Sequence, residues 1–360
     1  MITDKLEHIK SLDSLRGIAA IMVFINHLFY INLGYEQYLK PWFLFKAGHE
    51  GVILFFVLSG FVLSVSNSKT NYSYFQYCIK RIFRIYPAYY VSIVFSIVLF
   101  VIIRPSPISE YTDIFNAQFP SIVINKGVIL NAIILVTSVS SKINSVVWSL
   151  AYEVIISLFL LPLFWKINNK KNIVFLFIAL CFIYVILPYI HYSANKNVMI
   201  LLKLIRMNTY YSLFFFLGMI LYKSHDKLMC LSKWYLFPIY VILYASIYFS
   251  FGSEFIKSNE SLRDMLTALG SMGFIIISIH NINIRNILSK SIFHFFGRIS
   301  FSFYLLHMPF LYLIVYTCRT FMNVYVMWVF IFILTTIFSY ISYCFIEVKF
   351  MNYSKKLIKI

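Results

Sequence analysis

Residues 15–33 read LRGIAAIMVFINHLFYINL. Arg16 and His27 interrupt an otherwise almost apolar run. Its length is about the 20 residues that a helix needs to cross a bilayer core. It is too long for the apolar core of a secretory signal, and no small-residue cleavage site follows it before the next loop. The mixed-charge start MITDKLEHIK also argues against a cleaved leader. This stretch is therefore read as a first transmembrane helix.

The same texture continues along the chain. Further apolar runs lie at roughly 50–66, 85–103, 147–165, 172–190, 209–222, 234–250, 265–281, 300–318 and 324–345. The 360 residues are 61% hydrophobic and only 12% charged, with a mean hydropathy of +0.81. A soluble chain carries about a quarter charged residues. A cytosolic enzyme, a disordered protein and a secreted disulfide scaffold are all excluded. The expectation is an all-α fold: a polytopic transmembrane helix bundle of about ten spans. Residues 1–350 form one membrane domain, and 351–360 a short basic cytoplasmic tail.

The net charge of +18 would suggest nucleic acid in a soluble chain. Here it follows topology, because Lys and Arg resist translocation and collect in cytoplasmic loops. With both termini cytoplasmic, the inner segments hold Lys and Arg at about twice the density of the outer ones. That count requires the short segment 128–138, VILNAIILVTS, not to span. It is expected to be re-entrant or interfacial, within a long outer connection, 104–146. Five scattered cysteines show no paired spacing and read as apolar packing residues, with no metal site. No internal repeat is visible, and the prolines fall mostly near span ends.

Ionisable residues inside a bilayer are costly and usually functional. Arg16, His27, Glu153 and His307 fall within expected spans, whereas Glu50 and His280 fall at edges where water can reach them. Arg16 and His27 are eleven residues apart, three helical turns plus about 20°. They share one face, about 16.5 Å apart along the axis. Glu153 and His27 fall at similar depth, and a carboxylate beside an imidazole fixes its tautomer and raises its basicity. A lone histidine on an apolar helix is commonly a packing residue, and an arginine at a span edge is commonly an anchor. Shared face and shared depth favour chemistry. Between the second and third expected spans, CIKRIFRIYPAYY sets Arg81 and Arg84 one turn apart. Cytoplasmic topology alone accounts for them; alternatively, two guanidinium forks there suit phosphate groups.

These stretches together resemble the acyltransferase-3 family of integral-membrane acyltransferases. The first-span pattern of Arg, ten residues, then His matches LDSLRGIAAIMVFINH, from Leu12 to His27. FFVLSGFVLS (Phe55 to Ser64), RIFRIYPAYY (Arg81 to Tyr90), VVWSLAYE (Val146 to Glu153) and SFYLLHMP (Ser302 to Pro309) follow in the family's order. Near the C-terminus, where the family often has Glu-x-Pro-Phe, this chain has Glu347-Val348-Lys349-Phe350 and lacks the proline.

The resemblance implies O-acylation with acetyl-CoA as donor substrate and no metal. The acceptor it implies is a hydroxyl of a bacterial surface polysaccharide or its lipid-linked glycan precursor, in the multi-pass setting of the cytoplasmic membrane. By motif, His27, Glu153 and Arg16 carry the catalysis, and Arg81, Arg84 and Arg16 hold the donor. His27 acts either as a general base or as a transiently acylated nucleophile. The partners are then acyl-CoA, the glycan and membrane lipids, with no nucleic acid. A glycan or acyl-carrier transporter would share the buried Arg, His and Glu, but five ordered motifs and the missing repeat favour the enzyme. A membrane glycosyltransferase ranks last, because no outward acidic motif offers it a metal site.

Overall fold

A computed structural model describes residues 10–29, 31, 47–69, 72–109, 111, 115–116, 126–133, 141–167, 169–191, 196–246 and 258–358. Among these there is no strand, and the fold class is all-α and polytopic. The helices are α1 (Lys10–Leu28), α2 (Gly48–Lys69), α3 (Tyr74–Ile103) and α4 (Lys126–Ile133). Next come α5 (Val147–Trp165), α6 (Lys170–His191), α7 (Lys196–Ser224) and α8 (Phe237–Tyr244). The last four are α9 (Glu260–His280), α10 (Ile282–Leu288), α11 (Ser291–Cys318) and α12 (Val324–Ile358).

Every expected span falls on a helix. Among the described residues, seven helices are long and apolar enough to cross a membrane: α2, α3, α5, α7, α9, α11 and α12. The other three expected spans fall on α1, on α6 with its apolar stretch Lys171–Leu187, and on the shorter stretch Trp234–Tyr244. Large apolar side chains face outward along α6 and α12. Phe175, 72% exposed, and Phe182, 63% exposed, would be untenable in water as part of such a face but suit lipid.

Three expectations change. The stretch CIKRIFRIYPAYY is not a loop, because α3 begins at Tyr74 and carries it. Pro87 and Pro309 lie inside α3 and α11 rather than at span ends. Membrane helices tolerate this where neighbours satisfy the freed carbonyl. The final helix runs on to Ile358 through a π-turn at Tyr343–Glu347. With Lys349 in place of the family's proline, nothing removes the N–H that continuation requires. The segment 128–138 meets the eight-residue α4, about 12 Å long and too short to span. Of the expected segments, residues 30, 32–33, 134–138, 247–250 and 359–360 lie outside the described residues, as does much of the 104–146 connection.

The chain divides into two compact units. One comprises 8–52, 75–151 and 286–360. Here α1 packs on α11, and Gly17 meets Gly297 so closely that a Cβ on Gly17 would sit 2.6 Å from the Gly297 nitrogen. Small residues let backbones approach and gain dispersion contacts, the main source of helix association in lipid. Phe24 of α1 packs edge-on to Phe303 of α11, with ring centroids 5.4 Å apart, and tilts against Phe332 of α12 at 5.8 Å. The start of α3 packs on the end of α12, where Phe83 lies 5.7 Å from Tyr353 and Gln76 donates to the Ile358 carbonyl.

The other unit comprises the described residues of 53–74 and 152–285. In it α2 and α7 share a glycine seam, Gly60 against the Phe215 backbone and Gly218 against that of Val57. The Trp165 indole donates to Ser64 Oγ at 3.0 Å. Asn259 caps α9 by accepting from the Leu262 amide.

Candidate active site

α1 is uninterrupted from Lys10 to Leu28, so Arg16 and His27 keep their common face three turns apart. Arg16 is paired with Asp13, Nη1 to Oδ1 at 3.4 Å, one turn earlier on the same helix. His27 Nδ1 lies 2.8 Å from the Val23 carbonyl oxygen. It also lies 3.2 Å from Nε2 of His307, across the α1–α11 seam. The two ring centroids are 5.1 Å apart.

His307 is fully buried, and its Nδ1 faces the Phe303 carbonyl at 3.2 Å. Phe24 stands edge-on to it, with centroids 6.1 Å apart, and Tyr304 flanks it at 5.9 Å. Tyr304 is held in turn: its hydroxyl donates to the Val146 carbonyl and lies 2.8 Å from Ser149 Oγ. Residues of three motifs, His27, Ser149 and the pair Tyr304 and His307, thus converge in one unit. The sequence had marked His307 as an ionisable residue in a span and as part of the late family motif, but not as a partner of His27.

Arg81 and Arg84 sit one turn apart on α3, but their settings differ. Arg81 is buried and Arg84 is exposed. Glu347, 4% exposed, accepts a hydrogen bond from Ser302, whose Oγ is also 2.8 Å from Ser342 Oγ. Arg84 lies within electrostatic reach of Glu347. Beside this turn of α3 runs an apolar groove of about 320 Å³, lined by Tyr86, Pro87, Tyr90, Ile346 and Phe350 among others. Glu347 was noted in the sequence only for the proline missing after it. Its burial could have been suspected, because the family pattern also places Glu at that position.

Glu153 lies half-buried on α5, in the unit that holds 152–285. Glu50, expected to be solvated at a span edge, is instead 7% exposed at the start of α2. Its neighbours Gly48 and Gly51 press on Asn26 and Val23 of α1, which leaves little room for water. The second unit has its own buried polar pair, Tyr210 donating to Asp264 Oδ2 at 2.7 Å, with Arg206 over the Tyr184 ring. His225, Asp226 and His280 also gather there, their ligand-type atoms within 4.8 Å of one another. Of these, only His280 was named from the sequence, as a span-edge residue; Asp264 falls one residue before an expected span.

Long apolar helices with outward-facing aromatic residues, and an imidazole pair with one fully buried member, define a multi-pass membrane protein with ionisable groups in its interior. The family model described as an acyltransferase domain matches residues 9–344, nearly the whole chain. The chain belongs to the acyltransferase-3 family, and it is an integral-membrane acyltransferase. No curated protein and no solved structure matches it.

Proposed function

We propose that this acyltransferase moves an acetyl group from cytoplasmic acetyl-CoA to a hydroxyl of a bacterial surface polysaccharide or its lipid-linked precursor, in the cytoplasmic membrane. The observation that carries the chemical part is the His27 imidazole, hydrogen-bonded at Nδ1 inside α1, with Arg16 on the same face toward the other end. A ring held at Nδ1 keeps Nε2 for chemistry. Arg16, Arg81 and Arg84 supply charge-assisted hydrogen bonds for the phosphates of CoA. Glu153 is retained as a catalytic carboxylate on the strength of its motif.

The step runs as general-base catalysis. His27 Nε2 takes the proton of the acceptor hydroxyl as its oxygen bonds to the thioester carbonyl carbon. The tetrahedral intermediate collapses, the C–S bond breaks, and the proton passes from His27 to the CoA thiolate. In the alternative route Nε2 itself takes the acetyl group, releases CoA, and hands the group to the acceptor. Either route lets the acyl group change sides while CoA stays in the cytoplasm.

The test is transfer from radiolabelled acetyl-CoA to isolated envelope glycan by the purified protein in detergent. Product from wild type and none from His27→Ala is expected. Transport that needs sealed vesicles, with no covalent product in detergent, would establish a carrier instead. Mass spectrometry of glycan from deletion and His27→Ala strains identifies the acceptor.

A further inference from the structure

We propose that His307 is the positioning residue of this site. It fixes the tautomer of His27 and accepts a hydrogen bond from the imidazolium that forms during transfer. The proposal rests on the reading of His27 as base or nucleophile.

The proton assignment follows from which atoms can only accept. A backbone carbonyl has no proton to give. His27 Nδ1 lies 2.8 Å from the Val23 oxygen, so Nδ1 carries the proton and Nε2 the lone pair. His307 Nδ1 faces the Phe303 oxygen at 3.2 Å, so it too carries the proton, and His307 Nε2 holds a lone pair. That lone pair lies 3.2 Å from His27 Nδ1. The His27 N–H is thus shared between two acceptors, Val23 O and His307 Nε2. The opposite assignment, with the proton on His307 Nε2, would make His27 Nδ1 an acceptor and set its lone pair against the Val23 oxygen at 2.8 Å. Only one neutral arrangement satisfies all three contacts.

That arrangement matches the orienting partner of a hydrolase triad, where a carboxylate accepts from Nδ1–H and stabilises the imidazolium. An imidazole does the same work without bringing a second full charge to membrane depth, where a carboxylate is expensive. The ring is also held in place. Phe24 and Tyr304 flank it, and Tyr304 is tied to Val146 and lies within hydrogen-bonding distance of Ser149. A line of physical contacts therefore runs from the α5 motif through Tyr304 and His307 to His27.

The test compares His307→Ala with His307→Gln, whose Oε1 accepts but which cannot be protonated. Two readouts are taken: acetyl transfer, and carbethoxylation of His27 by diethyl pyrocarbonate, followed by mass spectrometry. For His307→Ala, kcat should fall about 100-fold, within the usual range for acid–base groups, while KM for acetyl-CoA stays unchanged. Carbethoxylation of His27 should slow in parallel. His307→Gln should recover a large part of both. An Ala variant with wild-type kcat and labelling rate overturns the proposal. So does joint loss of Ala and Gln variants with disappearance of the monodisperse peak on size exclusion, which makes His307 a packing residue. If His27 labelling depends on His307 but wild type forms no acetylated product, the positioning role stands and the acyl-transfer reading fails.

Discussion

Gly17 of α1 and Gly297 of α11 touch backbone to backbone: a Cβ on Gly297 would lie 2.5 Å from the Asp13 carbonyl carbon, and one on Gly17 2.6 Å from the Gly297 nitrogen. The contact involves the Asp13 backbone, adjoins Arg16 in the chain, and sets how closely the two helices run. Ten residues further along each helix, the same seam brings His27 to His307. A side chain at either glycine must push the helices apart, and the imidazole pair with them.

Gly17→Val should therefore destabilise the protein by about 1–3 kcal/mol, the usual cost of overpacking. Activity should fall further than stability, because a displaced base loses its alignment. Thermal melts followed by fluorescence-detected size exclusion, alongside initial rates, separate the two effects. An unchanged melt would show that the seam relaxes freely.

Arg16 carries a local pair with Asp13, one turn away on the same helix and partly exposed. Such pairs contribute about 0–1 kcal/mol. Asp13→Asn should thus leave the melting temperature nearly unchanged and acetyl transfer within about threefold. Arg16→Ala should raise KM for acetyl-CoA by about tenfold or more, the loss of one charge-assisted contact. Equal damage from both variants would assign Arg16 to helix structure instead.

Arg81 and Arg84 should separate in the same assay. Arg84 is exposed, so Arg84→Ala should raise KM for acetyl-CoA while the protein stays folded. Arg81 is 7% exposed, and its removal disturbs packing as well as charge. Arg81→Ala should lower both the melting temperature and the activity. Binding of desulfo- and dephospho-analogues of CoA would show whether either arginine reads a phosphate.

Much of this was legible in the sequence because membrane helices are written plainly. Length and apolarity placed the seven helices that are long and apolar enough to span, since lipid allows no other backbone solution for segments like 50–66 or 300–318. Boundaries were less legible. The Arg81–Arg84 stretch looked like a loop because its charges break the apolar run, yet α3 begins at Tyr74 and carries it. The single-helix relation of Arg16 to His27 was also accessible, since it depends only on helical period. The pairing of His27 with His307 was not, because it joins residues 280 apart through a packing seam that no local pattern records. The burial of Glu50 was hidden for the same reason.

Glu347 offers the sharpest remaining test of the interior. It sits at the end of a π-turn, 4% exposed, accepting from Ser302 of the late motif and within reach of Arg84. Removing the acceptor leaves Ser302 and Ser342 with a buried proton lacking its partner, at a cost of about 1–3 kcal/mol. Glu347→Ala should therefore lower the melting temperature. Glu347→Gln keeps an accepting oxygen for Ser302 but removes the carboxylate that Arg84 faces. If Glu347 only packs the α11–α12 seam, Gln should restore both stability and transfer. If it sets the position of Arg84 for the donor, Gln should restore stability while KM for acetyl-CoA stays raised. The second pattern is expected, because Arg84 is exposed and the buried Glu347 carboxyl lies within its electrostatic reach. Michaelis curves in acetyl-CoA for the two variants, beside their melts, decide between them.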